Sequence, residues 1–175
     1  QMGFLHSASE TASEPHPLPQ LVVDADGLRI LADTEDWAKR LPPGSILTPH
    51  PGEMAALTGL TVETIQSSRE GIAREKSAEW GHIVVLKGAH TVVASPEGQG
   101  VVIPFATAAL AKAGTGDVLA GAISGLRAQG VPARQASILA AYLHGRAGVL
   151  AAEEEGTTAG VLAGEVARLL PLAIA

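Results

Sequence analysis

The sequence predicts a three-layer α/β domain with helices on both faces of a mostly parallel sheet and an antiparallel meander at one edge. Three observations predict it. Short runs of Val, Ile and Leu alternate with longer stretches of helical periodicity. Three strand-like runs follow one another closely between His82 and Ile103. The stretch Ala113-Gly114-Thr115-Gly116-Asp117 is a glycine turn that opens directly into an amphipathic helix.

Composition narrows the problem. A chain of 175 residues suffices for one domain with a real core, and 46% hydrophobic residues with only 3% aromatics make that core one of Ala, Val, Leu and Ile. A net charge of -6 without a basic run argues against nucleic-acid or acidic-membrane partners. The absence of cysteine excludes disulfides and thiolate metal sites and agrees with a cytoplasmic setting. No apolar stretch is long enough to span a membrane, and the first residues lack an apolar signal core.

Residues 1–20, with Pro15, Pro17 and Pro19, read as a tail or loop, and His6 and His16 within it have no ligand spacing. Residues 21–175 read as part of a single domain. Leu21-Val22-Val23 is a buried-type strand ending in Asp24-Ala25-Asp26-Gly27. Ligands of open α/β sheets gather at the carboxyl ends of strands, so Asp24 and Asp26 can face a site. Asp26 can equally cap a short helix, Leu28–Ala32. Ser45–Thr48 is a second strand, followed by Pro49-His50-Pro51-Gly52-Glu53. Pro51 suits the first helical position, which makes His50 the N-cap and puts Glu53 where it can close a capping box. The same pair can face a ligand, with Glu53 holding a water on Mg²⁺.

Thr61 caps a long helix, Val62 to Trp80, whose charges form a solvated face. His82–Leu86, Thr91–Ala94 and Val101–Ile103 are the meander, with Lys87-Gly88-Ala89-His90 between the first two strands. Lys87 stands at a strand end, where it can meet a phosphate or simply face solvent. The helix opened by the glycine turn ends near Gln129-Gly130. Pro132 starts another, with Ile138, Leu139, Tyr142, Leu143 and Leu150 on its apolar side and His144 packed within it. Gly160–Leu170 is a last helix stopped by Pro171.

The glycine turn carries the chemistry. Its glycines allow positive φ and close approach of a ligand, and the first N–H groups of the helix point into it as a ready anion site. Asp117 in the first turn is held ionised by the helix dipole and can accept a proton beside a bound phosphate. That layout can move a phosphoryl group onto a hydroxyl, although a Gly-x-Gly-Asp turn can also be only a tight loop before an acidic helix start.

Five segments together resemble the C-terminal half of the NAD(P)H-hydrate dehydratase family, within the ribokinase-like superfamily. They are LVVDADGL (21–28), LTPHPGEMAALTG (47–59), HIVVLKGAHTVVASPEG (82–98), AGTGDVLAGAISGLRAQG (113–130) and AAYLHGRAG (140–148), in the family's order. The resemblance implies a ribokinase-like fold and a repair reaction. The hydroxyl of an NADH or NADPH hydrate is phosphorylated from ADP or ATP with Mg²⁺, and elimination of phosphate restores the cofactor. It implies Asp117 as base contacting the hydrated nicotinamide, and Gly114, Thr115 and Gly116 as the anion hole, with Gly116 also touching the nucleotide. Lys87, Gly88, Ala89, His90 and Thr91 match the nucleotide-binding stretch. His50 matches a substrate position, Glu53 acts on Mg²⁺ through water, and Asp24 and Asp26 line the same cleft.

Ala113 departs from the family's usual glycine, and the family's front half has no counterpart here. A monomer would then leave strand edges and apolar helix faces open. The expectation is a homo-oligomer, or a complex with a chain that supplies the missing N-terminal half. Two other readings compete: a small-alcohol or vitamin-precursor kinase of the same fold, and a silent nucleotide-binding subunit.

Overall fold

A computed structural model describes residues 19–174; the expected tail up to residue 18, with His6 and His16, lies outside the described residues. Five strands form one sheet in the order β1-β2-β3-β4-β5: β1 (Val22–Val23), β2 (Ile46–Leu47), β3 (Ile83–Leu86), β4 (Val92–Ala94) and β5 (Gly100–Val102). β1, β2 and β3 are parallel neighbours, in register Val23↔Leu47↔Val84. β4 runs antiparallel to both β3 and β5, so four of the five strands share one direction. The predicted mostly parallel sheet with an edge meander is therefore present.

Alternation along β3 and β4 builds the three layers, because successive side chains leave a strand on opposite faces. Ile83, Val85 and Val93 pack with Leu119 and Ile123 of α6 (Thr115–Ala128) and Ala140 and Ala141 of α7 (Ala133–Glu155). Val84, Leu86, Val92 and Ala94 face the other way. They pack with Met54 of α3 (Pro51–Thr58), Ile65 of α4 (Val62–Ser67), and Ile72 and Ala73 of α5 (Arg69–Trp80). β3 is buried along its whole length, which is why it reads as a continuous apolar run.

Four local expectations are corrected. The helix expected from Val62 to Trp80 is two helices, broken at Ser68 with φ −144° and ψ 51°. The break lets Arg69 turn inward and donate from one guanidinium nitrogen to the carbonyls of Leu86 (2.9 Å) and Lys87 (3.2 Å). Arg69 is thus no part of a solvated face. On α7, Leu139 and Tyr142 are 41% and 38% exposed, while Ala136, Ala140, Ala147, Gly148 and Ala151 are buried. Close packing of α7 against α6 and the last helix selects the small residues, and Tyr142 instead meets Phe105 edge-on at 5.2 Å. The last helix is shorter than expected, α8 (Ala163–Leu169); it stops before Pro171 as expected, and Pro171 opens a 3₁₀ turn. Asp26 does not cap α1 (Asp26–Ala32): Ala25 holds the cap position, at φ 48°, and Asp26 is the first helical residue. Trp37–Arg40 forms the remaining short helix, α2.

Gly145 marks where α7 comes closest to the loop after β5. A methyl group there would lie 2.3 Å from Phe105 Cδ2 and 2.8 Å from its Cβ. Gly145→Ala is expected to lower stability by about 1–3 kcal/mol, outweighing the gain in helix propensity, and so to lower Tm by several degrees. Thermal unfolding monitored by circular dichroism measures this, and an unchanged or raised Tm would contradict the packing described.

Candidate functional site

The carboxyl ends of the three parallel strands converge. Asp24 follows β1, His50 and Glu53 follow β2 at the start of α3, and Lys87 follows β3. Lys87 donates its ammonium to Asp24 Oδ1 at 2.5 Å and lies 3.6 Å from Glu53 Oε2. The three side chains are 17%, 12% and 5% exposed, so the ammonium compensates two carboxylates largely withdrawn from water. A backbone bond from Lys87 N–H to the Pro49 carbonyl (2.8 Å) fixes the distance between the β2 and β3 ends.

α3 begins with the expected capping box. His50 Nδ1 accepts from the N–H groups of Gly52 (2.9 Å) and Glu53 (3.1 Å), and Glu53 Oε2 accepts from His50 N–H (2.7 Å). With Nδ1 an acceptor, the neutral ring carries its proton on Nε2, which faces Glu53 Oε1 at 3.4 Å. Glu53 thus both caps α3 and balances Lys87.

α6 closes the site from above. Gly114 takes φ 85° in the left-handed region, and a side chain there would press on Ala163 at 3.1 Å. Gly116 faces the ion pair: a Cβ on it would stand 3.4 Å from Lys87 Nζ and 3.7 Å from Asp24 Oδ2. The Thr115 hydroxyl is turned away from any ligand and donates to the carbonyls of Leu110 (2.7 Å) and Lys112 (2.9 Å). Asp117, the third residue of α6, is exposed and has no hydrogen-bond or ion-pair partner among the described residues. The first-turn N–H groups of Gly116 and Asp117 have no intrahelical acceptor, so they are the donors available to an anion.

These parts wall a cavity of about 550 Å³. His50, Lys87, Gly88, Ala89, Thr91, Thr115 and Gly116 line it, whereas Gly114 and Asp117 are not among its lining residues. Asp24 and Glu53 do not line it; Asp24 touches the lining residue Lys87, and Glu53 touches Lys87 and His50. His90 does not line it: it is exposed, at φ 53°, with its N–H bonded to the Phe105 carbonyl (2.8 Å). Asp26 is turned out to solvent, its side chain 88% exposed beside Arg29 at 3.4 Å, because the chain leaves β1 at Asp24 and the alternation of the strand stops there. Asp24 and Asp26 therefore do not point the same way.

Arg69, beside the site, carried no sequence signal, whereas His144 is the packed helix histidine the sequence predicts. Arg69 braces the end of β3 from the break between α4 and α5, with NH1 on Gln66 (2.7 Å) and Nε buried without an acceptor among the described residues. Burial lowers its pKa. His144 of α7 lines the cavity and donates from Nε2 to the Thr115 carbonyl at 2.8 Å. Burial pushes its pKa down to about 4, against the opposing effect of that hydrogen bond and with a further push from the charge of Lys87.

The fold and this site define the class: a ribokinase-like α/β protein with a cavity at the carboxyl edge of its sheet, beside the N-terminus of α6. The chain belongs to the NAD(P)H-hydrate dehydratase family, whose sequence model matches residues 6–172. It is 46% identical over 155 residues to the ADP-dependent (S)-NAD(P)H-hydrate dehydratase of Neisseria meningitidis, covering 87% of this chain and 52% of that protein. It is 47% identical over 151 residues to the bifunctional NAD(P)H-hydrate repair enzyme of Moorella thermoacetica, covering 86% and 28%. Among solved structures, the ADP/ATP-dependent NAD(P)H-hydrate dehydratase of Bacillus subtilis, co-crystallised with ATP and Mg²⁺ and soaked with CoA, matches with TM-score 0.76 and 37% identity over 89% of this chain and 55% of that one. A ribokinase-like superfamily protein of Enterococcus faecalis matches with TM-score 0.71 and 25% identity, over 87% and 51%. The chain spans about half the length, or less, of the curated relatives it matches.

Lys87→Met is expected to destabilise the fold by about 2 kcal/mol, since it leaves two shielded carboxylates facing each other. Adding Asp24→Asn should recover part of that loss, and a double-mutant cycle by denaturant unfolding measures the coupling. His144 sets a pH dependence. Its folded pKa lies below the ordinary 6.5, so its contribution is fully present above about pH 6.5 and is lost as pH falls towards about 4. Over that window wild type should lose about 3 kcal/mol more stability than His144→Gln, as read by unfolding at successive pH values.

Proposed function

We propose that this chain carries the phosphoryl-transfer site of an ADP- or ATP-dependent NAD(P)H-hydrate dehydratase. The observation that carries the reading is the anion-receiving turn of α6 facing the Lys87 ion pair across one cavity, in a chain of this family. The substrate is the hydrate of NADH or NADPH, in which water has added to the nicotinamide ring. Hydroxide leaves poorly and phosphate leaves well, so phosphorylation of the ring hydroxyl followed by elimination restores the reduced cofactor.

Asp117 is the base. It stands beside Gly116 with no competing partner and can take the hydroxyl proton as the oxygen attacks the terminal phosphorus. Gly114 gives the turn its left-handed geometry, Thr115 locks the loop behind it, and the N–H groups of Gly116 and Asp117 receive the developing charge. Lys87, Gly88, Ala89, His90 and Thr91 form the nucleotide stretch, with Arg69 bracing its start. His50 and Asp24 orient the substrate at the strand ends.

The donor chemistry fits Mg²⁺ held through water. Both oxygens of Glu53 already face His50 or Lys87, and no cluster of three or more acidic or histidine side chains suits a metal among the described residues. Mg²⁺ keeps several waters and takes phosphate oxygens, so Glu53 and Asp24 would hold its hydration shell. When bound, the ion neutralises the nucleotide phosphates.

No helix among the described residues is long and apolar enough to cross a membrane. A cytoplasmic setting, and a homo-oligomer or a complex with a second chain, belong to the same proposal.

The test is recovery of NADH absorbance from its hydrate with ADP or ATP and Mg²⁺, with products analysed. Recovery with release of phosphate supports the dehydratase; a stable phosphate ester would indicate a kinase. Asp117→Ala should lower kcat by about 10²–10⁴-fold while nucleotide binding survives. Wild-type rates in that variant would remove Asp117 as the base. Nucleotide binding without turnover would mark a silent subunit.

A further inference from the structure

The group in the cavity wall that the reaction leaves unused is His144. It is 8% exposed, sits in the middle of α7, and holds no phosphate-facing proton. Its one hydrogen bond runs across the interface between two helices, from Nε2 to the carbonyl of Thr115 at 2.8 Å. That carbonyl belongs to the peptide unit whose other end is the N–H of Gly116. Because a trans peptide directs its C=O and N–H to opposite sides, a donor on the carbonyl fixes where the N–H points. Gly116 lines the cavity opposite Lys87 and has no side chain of its own to hold it in place. A hydrogen bond accepted by the carbonyl also polarises the unit and makes its N–H a stronger donor.

We propose that His144 is a positioning residue of this site, acting through the Thr115–Gly116 peptide to aim and strengthen the Gly116 N–H that receives the anionic oxygen. The link to turnover rests on the function proposed above; the link to the Gly116 N–H does not. The surroundings support the role. Thr115 is held on its other side by its hydroxyl, bonded to Leu110 and Lys112, so the peptide is clamped from two directions. Burial keeps the imidazole neutral near pH 7, so exactly one ring nitrogen carries a proton, and a carbonyl partner requires that it be Nε2.

The experiment uses the full chain, labelled with ¹⁵N, as wild type, His144→Ala and His144→Gln. In wild type the His144 ring should be the Nε2–H tautomer, with Nδ1 unprotonated; an Nδ1–H tautomer would overturn the proposal without any variant. In His144→Ala the Gly116 amide resonance should move upfield and MgADP affinity should fall about 3- to 10-fold, the range for one lost hydrogen bond. His144→Gln, whose amide can still donate, should restore both. An unmoved Gly116 resonance, or Ala and Gln variants that bind alike, would show that His144 only packs. Should wild type bind no adenine nucleotide, the proposed function fails, while the tautomer and the Gly116 resonance still decide the role of His144.

Discussion

The structure turns on one ammonium group. Lys87 lies between Asp24 and Glu53, at the ends of three parallel strands that are neighbours in the sheet. Each carboxylate is too buried to be left alone, and each strand end would otherwise present like charge to the next. The lysine therefore joins β1, β2 and β3 electrostatically where a parallel sheet concentrates its ligand-facing residues. It also sets what can approach from α6. Gly116 sits opposite that ion pair, where a Cβ would stand in van der Waals contact with Lys87 Nζ at 3.4 Å.

Around that centre, hydrogen-bond donors gather at one end of the sheet. The N-terminus of α6 offers free N–H groups and a positive dipole end. Lys87 adds a full charge already shared between two carboxylates, so its field at the cavity is moderated rather than bare. Arg69 spends its donors on the carbonyls of Leu86 and Lys87, and so stiffens the strand end instead of facing the ligand. Asp117 has no hydrogen-bond or ion-pair partner among the described residues. Rigid, satisfied groups thus lie below the cavity and the free N–H groups of the first turn of α6 above it.

The small residues of α7 serve the same end. Ala140 and Ala141 let the helix lie close against the sheet, and Gly145 and Gly148 admit Phe105 and Leu110 from the loop after β5. That closeness brings His144 within hydrogen-bond distance of Thr115 and keeps water from its ring. It also turns Leu139 and Tyr142 outward, against what helical spacing of large apolar residues suggests.

The sequence by itself determined the strands, the edge meander, the capping box at His50, and the glycine turn that opens α6. These are local matters: two-residue alternation, N-cap chemistry and positive φ are written within a few neighbouring residues. The family resemblance of its segments also groups Lys87, Gly88, Ala89, Thr91, Thr115 and Gly116, which the fold brings to the wall of one cavity. Only the tertiary structure decided the rest. Asp26 turned to solvent because a helix starts at it, which reverses the direction a strand would have given. The helix over 62–80 is broken at Ser68, and Arg69 beside the break bonds carbonyls 17 and 18 residues away. The bond from His144 to Thr115 spans 29 residues. Such pairings depend on where packed layers bring distant side chains, and no local pattern encodes that distance.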